Sequence, residues 1–269
     1  MPQHVVVYEY GNIRRASERT NVPILTHNTD TFVPDTTFDL LKQWTFATNA
    51  DAVLQFSMQK GRELLRFKNH VGILQTADGT QFEILPKVTK NEHPVMARQS
   101  LLKMLQSVTD LPFHRLSQAH LNHAAQPLWE IFISAFIQEM EQIMRQGLAR
   151  NYQTIETEQS FVRGKWLPHR QNLLHPESLF TAYDEFKADI LPNRLLKTCI
   201  LFVAKHSRYL PNQIRLRQLR FALEEVSLSI HPQTDFSRLE KSDRRFDRYT
   251  RALQWAKVLL NQQSWATAG

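Results

Sequence analysis

The sequence predicts an α+β protein: a small β-rich meander or barrel at the N-terminus, followed by a mainly helical module. Three observations carry that expectation. Residues 1–90 hold short runs rich in β-branched and aromatic residues, bounded by turn dipeptides such as Lys60-Gly61 and Asp78-Gly79. After Leu85-Pro86-Lys87-Val88 the apolar spacing changes to a period near 3.6, the period of a helix. Between the two patterns, Asn91-Glu92-His93-Pro94 breaks both, because the residue before a proline is pushed out of the helical region. A boundary near residue 92 then divides the chain into modules over 1–92 and 93–269, and 269 residues suffice for two ordinary domains.

Taken in order, HVVVYEY reads as the first strand. Residues 14–34 carry charge, Pro23 and Pro34 but no clear period, and are expected to form a loop of some reach. FDLLKQWTFATN (38–49) has helical spacing, with Asp35, Thr36 or Thr37 available as its N-cap. Two hairpins follow: AVLQFSM and ELLRF flank Gln59-Lys60-Gly61, and HVGILQT and TQFEILPKV flank Ala77-Asp78-Gly79, where Asp-Gly suits a type I′ turn with positive φ at both central residues. In VMARQSLLKMLQSV (95–108), Met96, Leu101, Met104, Leu105 and Val108 fall mostly on one side of a helix. A longer helix is expected over 127–152, apolar at Leu128, Phe132, Ala135, Phe136, Met140, Ile143 and Met144 and so crossing the core. Further helices are expected at 194–209 after the Pro192-Asn193 start signal, at 212–226 and at 246–262.

Composition narrows the function classes. Hydrophobic residues make up 42% and charged residues 22% of the chain, with only 7 glycines, as in a folded globular protein rather than a linker or low-complexity segment. No apolar run is long enough to span a bilayer and the N-terminus lacks a secretory pattern, so a cytoplasmic location is expected and no membrane partner. The single cysteine, Cys199, excludes an internal disulfide and a cysteine-clustered zinc site; in the apolar run CILFV it reads as a small buried hydrophobe. The net charge of +7 permits contact with nucleic acid or an acidic partner. Its densest stretches are RLRQLR (215–220) and DRRFDRYTR (243–251), each of which also reads as a solvated helix face.

Several short patterns invite a chemical reading. Glu185-x-Lys187, after Glu177, has the spacing of the second acid and the lysine of a PD-(D/E)xK nuclease, which holds Mg²⁺ with converging carboxylates. Its surroundings are polar and run into Leu191-Pro192-Asn193, not the apolar strand that carries such a site; a scaffold role is the stronger reading. There Asp189 precedes a helix, Asn193 is placed to cap it, and Arg194 and Lys197 are placed to knit loop to helix. His120-x-x-His123, with His114 nearby, has no acid or third ligand at a matching distance except Glu130, and Pro127 interrupts the segment, so these read as histidines at the polar surface. No GxxxxGK[ST] phosphate loop, GxGxxG turn or GxSxG elbow is present. Arg163-Gly164-Lys165 fits either a phosphate contact or a tight turn.

YEYG, GILQTADGTQFEILPKV, LARNY, FVRGKW and YDEFKADILPNRLLKTCILF occur in an order that resembles the McrC family, the partner subunit of McrBC-type restriction systems, over about Tyr8 to Leu260. The resemblance implies a subunit of a type IV, modified-DNA restriction system that enters an McrB-like AAA+ GTPase hexamer and stimulates GTP hydrolysis. GTP and Mg²⁺ belong to that ring, and modified DNA is met through the complex. It places Asp189, Asn193, Arg194 and Lys197 in the family's scaffold, and makes Arg14, Arg15, Arg19, Lys60 and Arg62 candidates for the partner contact. The family's PD-(D/E)xK nuclease, with its own Mg²⁺, follows about where this sequence ends, so no catalytic residue, metal ligand or cofactor is expected in these residues. Two other readings come from the residues themselves: a basic DNA-binding module using Arg163, Lys165, Arg215, Arg217 and Arg220, and a stand-alone Mg²⁺ nuclease using Glu177, Glu185 and Lys187.

Overall fold

The computed structural model describes residues 4–21, 30–47, 52–87, 94–107, 112–115, 125–170, 178–239 and 244–260. Strands and helices form separate small sheets and helical layers, an α+β fold, and the chain divides into two compact units. The first takes the chain to Ala135 together with His206–Asn212 and the residues from Val258; the second takes Phe136–Lys205 and Gln213–Lys257. The expected change from strand to helix falls between Leu85 and Pro94, but the units do not divide there.

In the first unit, β1 (His4–Tyr8) pairs in parallel with β7 (Gln81–Leu85), which pairs antiparallel with β6 (Gly72–Gln75). A second sheet orders β3 (Asp30–Val33), β2 (Asn12–Arg15), β5 (Arg62–Phe67) and β4 (Leu54–Gln59), with β2 and β3 parallel. The β-rich module expected as a meander or barrel takes the form of two small sheets, each with one parallel pair. Residues 14–34 are not a plain loop either: they hold the end of β2, a 3-10 turn at Ala16–Asn21 and β3. The parallel pair has a local cause, since Asp30 accepts hydrogen bonds from Asn12 Nδ2 at 2.7 Å and Arg14 Nε at 2.8 Å. The core is built from Ile13, Phe38, Leu54, Leu65, Phe67 and Phe82 among others, with the Phe67 and Phe82 rings 6.4 Å apart. Each such fully buried side chain contributes about 1.5–3 kcal/mol.

The turns are readable in detail. Lys60 and Gly61 both have positive φ, 52° and 76°, the type I′ geometry that matches strand twist. At the second hairpin only Gly79 is left-handed: Gly79 N donates to Thr76 O at 2.9 Å, a type I turn closed by a left-handed glycine instead of the expected type I′. Asp78 decides it, accepting hydrogen bonds from Thr76 and Thr37 hydroxyls and from Thr80 N at 3.0 Å. Burial would raise its pKa, but these bonds hold it at about 2. The helix α1 (Asp35–Ala47) therefore does not use Thr37 as a cap; Pro34 O receives Phe38 N, and Asp35 accepts from Ser17 N at 3.4 Å.

The helix α2 (Pro94–Gln106) buries Ala97, Arg98, Leu101, Leu102 and Leu105 and turns Met96 and Met104 outward, a rotation from the expected face. Its buried Arg98 is the reason. Arg98 Nε and Nη2 meet the Glu83 carboxylate at 2.6 and 2.9 Å, and a buried cation must face its partner. The long helix α3 (Leu128–Gln146) passes residues 128–135 to the first unit and 136–146 to the second. Gly147, at φ 82°, ends it with N–H donated to Met144 O at 3.1 Å.

The second unit holds an element the sequence pattern did not disclose, an antiparallel sheet of β8 (Asn151–Gln159), β10 (Leu179–Lys187) and the short β9 (Lys165–Trp166). The remaining helices are α4 (Leu191–His206), α5 (Leu210–Ala222), the unexpected α6 (Pro232–Leu239) and α7 (Thr250–Leu260), preceded by a 3-10 turn at Arg244–Tyr249. No helix among the described residues is long and apolar enough to cross a membrane.

Candidate functional site

The five basic residues expected at a partner contact divide sharply. Arg14 is buried, held by Asp30 at 2.8 Å and by Gln59. Arg15 reaches Asp39 at 2.6 Å and Glu63 at 2.7 Å and lies 4.5 Å over the Phe38 ring. Both pin β2 to its neighbours. Arg19 and Lys60 are exposed, and Arg62, beside Lys60 at the tip of the β4–β5 hairpin, is half-buried. The exposed positive charge therefore sits at a tight turn and on the Ala16–Asn21 turn, not along a long loop.

Two buried carboxylates organise the first unit, and neither stood out in the sequence as a structural acid. Glu83 accepts from His4 Nε2 at 2.9 Å, from Arg98 and from Leu128 N at 3.3 Å, tying β7 to β1, α2 and the start of α3. Burial opposes its charge, yet the bonds from His4 and Arg98 hold its pKa below the ordinary value. Glu130 accepts from Ser207 Oγ at 2.8 Å, Arg208 N, Tyr209 N at 3.2 Å and Asn212 Nδ2 at 2.9 Å. It is the acceptor for the amides that lead into α5; His120, His123 and Glu177 lie outside the described residues. Among the described residues no cluster of three or more His, Cys, Asp or Glu could hold a metal ion.

The motifs LARNY and YDEFKADILPNRLLK and the stretch DRRFDRYTR meet at one place in the second unit. Asn193, fully buried, does not cap α4, which starts at Leu191; its amide donates to Ala149 O at 2.9 Å and Ala188 O at 2.6 Å. Ala149 N in turn donates to the buried Tyr249 hydroxyl at 2.7 Å. Asp189 takes Arg194 Nε at 2.8 Å, Arg194 Nη2 at 2.9 Å, and Ser227 N and Oγ at 2.9 Å each. The Arg194 bond is the main cause that holds its pKa at about 2, against burial and with help from Ser227. Lys197 Nζ donates to Glu224 O at 3.0 Å and to Val226 O, closing the chain after α5. Each motif residue binds one segment to another.

Glu185 and Lys187 lie on β10, two apart and on one face, where the sequence suggested a polar loop. They pair with each other at 3.1 Å, and the residues opposite them on β8 are the uncharged Gln153 and Asn151. Of the basic residues read as DNA contacts, Arg215 is bound two-pronged to Glu141 at 2.7 and 2.8 Å, whereas Arg217 and Arg220 are exposed on α5. Arg163 lies 4.0 Å over the Tyr183 ring, and Lys165 is exposed on β9. Gly164 is obligatory: a Cβ there would sit 2.3 Å from Ala182 O, at φ 78°. Cys199 is buried in α4 with its thiol pKa pushed up by desolvation, a packed residue.

A two-unit α+β protein whose motif residues serve as internal staples, with basic residues left at turns, is the class this geometry defines. The chain belongs to the family described as McrBC 5-methylcytosine restriction system component, whose pattern matches residues 65–269. Its fold is similar to a chain in the cryo-EM structure of the Thermococcus gammatolerans McrBC complex, at 17% identity and TM-score 0.68, over 97% of this chain and 85% of that one. It is also similar to a chain in a half-complex from a tetradecameric assembly of Thermococcus gammatolerans McrB AAA+ hexamers with bound McrC, at 18% identity and TM-score 0.68. That match covers 95% of this chain, which spans 64% of the other. No curated protein matches.

Proposed function

We propose that this chain is an McrC-type subunit that docks into an McrB-like AAA+ GTPase ring and stimulates its GTP hydrolysis as part of a modified-DNA restriction system. The observation that supports this is the fold shared with chains from McrBC assemblies, one described as McrB hexamers with bound McrC. The contact falls on the first unit at the β4–β5 tip, Lys60 and Arg62, with Arg19 nearby in sequence to the paired Arg15. Phosphoryl transfer depends mostly on positioning and charge stabilisation, so a basic hairpin can act by ordering the ring's own catalytic groups. GTP and its Mg²⁺ are held by the ring, and modified DNA is met through the complex.

The test is the GTP turnover of the cognate ring with and without the chain. Stimulation is expected, and Lys60→Ala with Arg62→Ala should lower it roughly tenfold, the effect of about 1.4 kcal/mol at an interface. Unaltered stimulation by the double variant removes the hairpin from the mechanism; no stimulation by the parent chain removes the proposal.

A further inference from the structure

From Ser160 to Trp166 the chain reads Ser-Phe-Val-Arg-Gly-Lys-Trp, and all of these residues are exposed before Leu167 is buried. Phe161 is 61% exposed, Val162 58% and Trp166 50%. Three large apolar side chains held in water within one short segment mark a surface that something covers. From Ser160 to Arg170 there is no acid, against Arg163, Lys165 and Arg170. Arg170 is already engaged by Glu156 and lies over the Phe180 ring, which leaves Arg163 and Lys165 as the segment's available cations.

The segment is anchored, not loose. Gly164 packs against Ala182 O and Tyr183, β9 pairs with β10 at Ala182 and Thr181, and Leu167 N donates to Phe180 O at 2.8 Å. Arg163 stacks on Tyr183 through the face of its guanidinium, which keeps the in-plane N–H donors for a second acceptor. Lys165 and Trp166, adjacent on a strand, point to opposite sides of it. A fixed backbone thus presents rings and cations within a few residues of one another.

Aromatic faces beside cations are what unpaired bases on a phosphate chain require, because every base has a stackable face and every linkage a negative charge. A duplex hides those faces, and a two-residue strand is too short to read a groove. The seat of Trp166 on a paired strand, and the chain's membership of a DNA-restriction family, favour nucleic acid over a lipid surface. We propose that Ser160–Trp166 is a binding ledge for single-stranded nucleic acid, with Phe161 and Trp166 stacking on bases and Arg163 and Lys165 meeting phosphates.

The experiment is fluorescence anisotropy of the full chain with a labelled single-stranded oligonucleotide and its duplex, at about 0.1 M salt, alongside sedimentation with phosphatidylserine vesicles. Preference for the single strand is expected. Phe161→Ser with Trp166→Ser should weaken it at least tenfold, since stacking on even one ring carries about that factor, with an unchanged melting temperature. Lys165→Gln should reduce the slope of log K against log salt by about 0.7. The ledge is overturned by duplex binding as tight as single-strand binding and indifferent to these substitutions, by no oligonucleotide binding, or by vesicle binding that the same substitutions abolish. Ring stimulation is read by GTP turnover without oligonucleotide, so the two proposals fail separately.

Discussion

At the scale of single residues, the polar side chains of the scaffold motif, Asp189, Asn193, Arg194 and Lys197, are used internally. Asp189 shows the consequence for pH. Its pKa lies at about 2 against an ordinary 3.8, so the folded state binds its proton less readily than the unfolded chain does. The stability it contributes is complete above about pH 4 and is lost as pH falls towards 2. Asp189→Asn should therefore lower the melting temperature at neutral pH and partly flatten its fall between about pH 4 and 2; Asp78, held at about 2 as well, and Asp39, Glu63, Glu83 and Glu141, each held below its ordinary value, keep the rest of that slope. A fall as steep as that of the parent would show that Asp189 is not coupled to folding. Gly164 is the second case. Gly164→Ala forces a Cβ to within 2.3 Å of Ala182 O in a left-handed backbone, and a loss of roughly 1–3 kcal/mol in urea denaturation is expected. An unshifted midpoint would mean the segment is not seated on β10.

At the scale of elements, what could be read from the sequence followed from how each element is buried. The helices α1, α3 and α4 were legible because each carries one continuous apolar stripe, and the β4–β5 hairpin because Lys60-Gly61 has the required turn chemistry. The strands β8 and β10 were not. Along β8 exposed positions alternate with half-buried ones and no residue is fully buried, so no apolar alternation exists to be seen, and the polar YDEFK of β10 looked like a loop. The rotation of α2 was hidden for a related reason: a buried Arg98 counts as polar in any pattern, although its pairing with Glu83 puts it inside. Of the candidate contacts, Arg14, Arg15 and Arg215 could not be told from surface arginines because their acidic partners are distant in sequence. Glu130 belongs to the same class. Glu130→Ala removes the acceptor for Arg208 N and Tyr209 N, and should cost roughly 2–3 kcal/mol by chemical denaturation. A cost under about 0.5 kcal/mol would show that water replaces it fully.

At the scale of the whole molecule, Cys199 offers a probe of opening, since it is the chain's only cysteine and is buried in the second unit. Its reaction with a thiol reagent should be slow in buffer and should accelerate with denaturant in step with the loss of helical circular dichroism; fast labelling of the native protein would contradict the packing of α4. The two units also differ in how the chain supplies them. The first draws on residues up to Ala135 and then on His206–Asn212 and the residues from Val258. On a ribosome, which releases the chain from its N-terminus, the early strands appear long before Val258 and Leu259, both buried, have been made. The half of the protein that is synthesised first is thus completed last, and a nascent chain halted before residue 258 lacks two buried residues of the first unit.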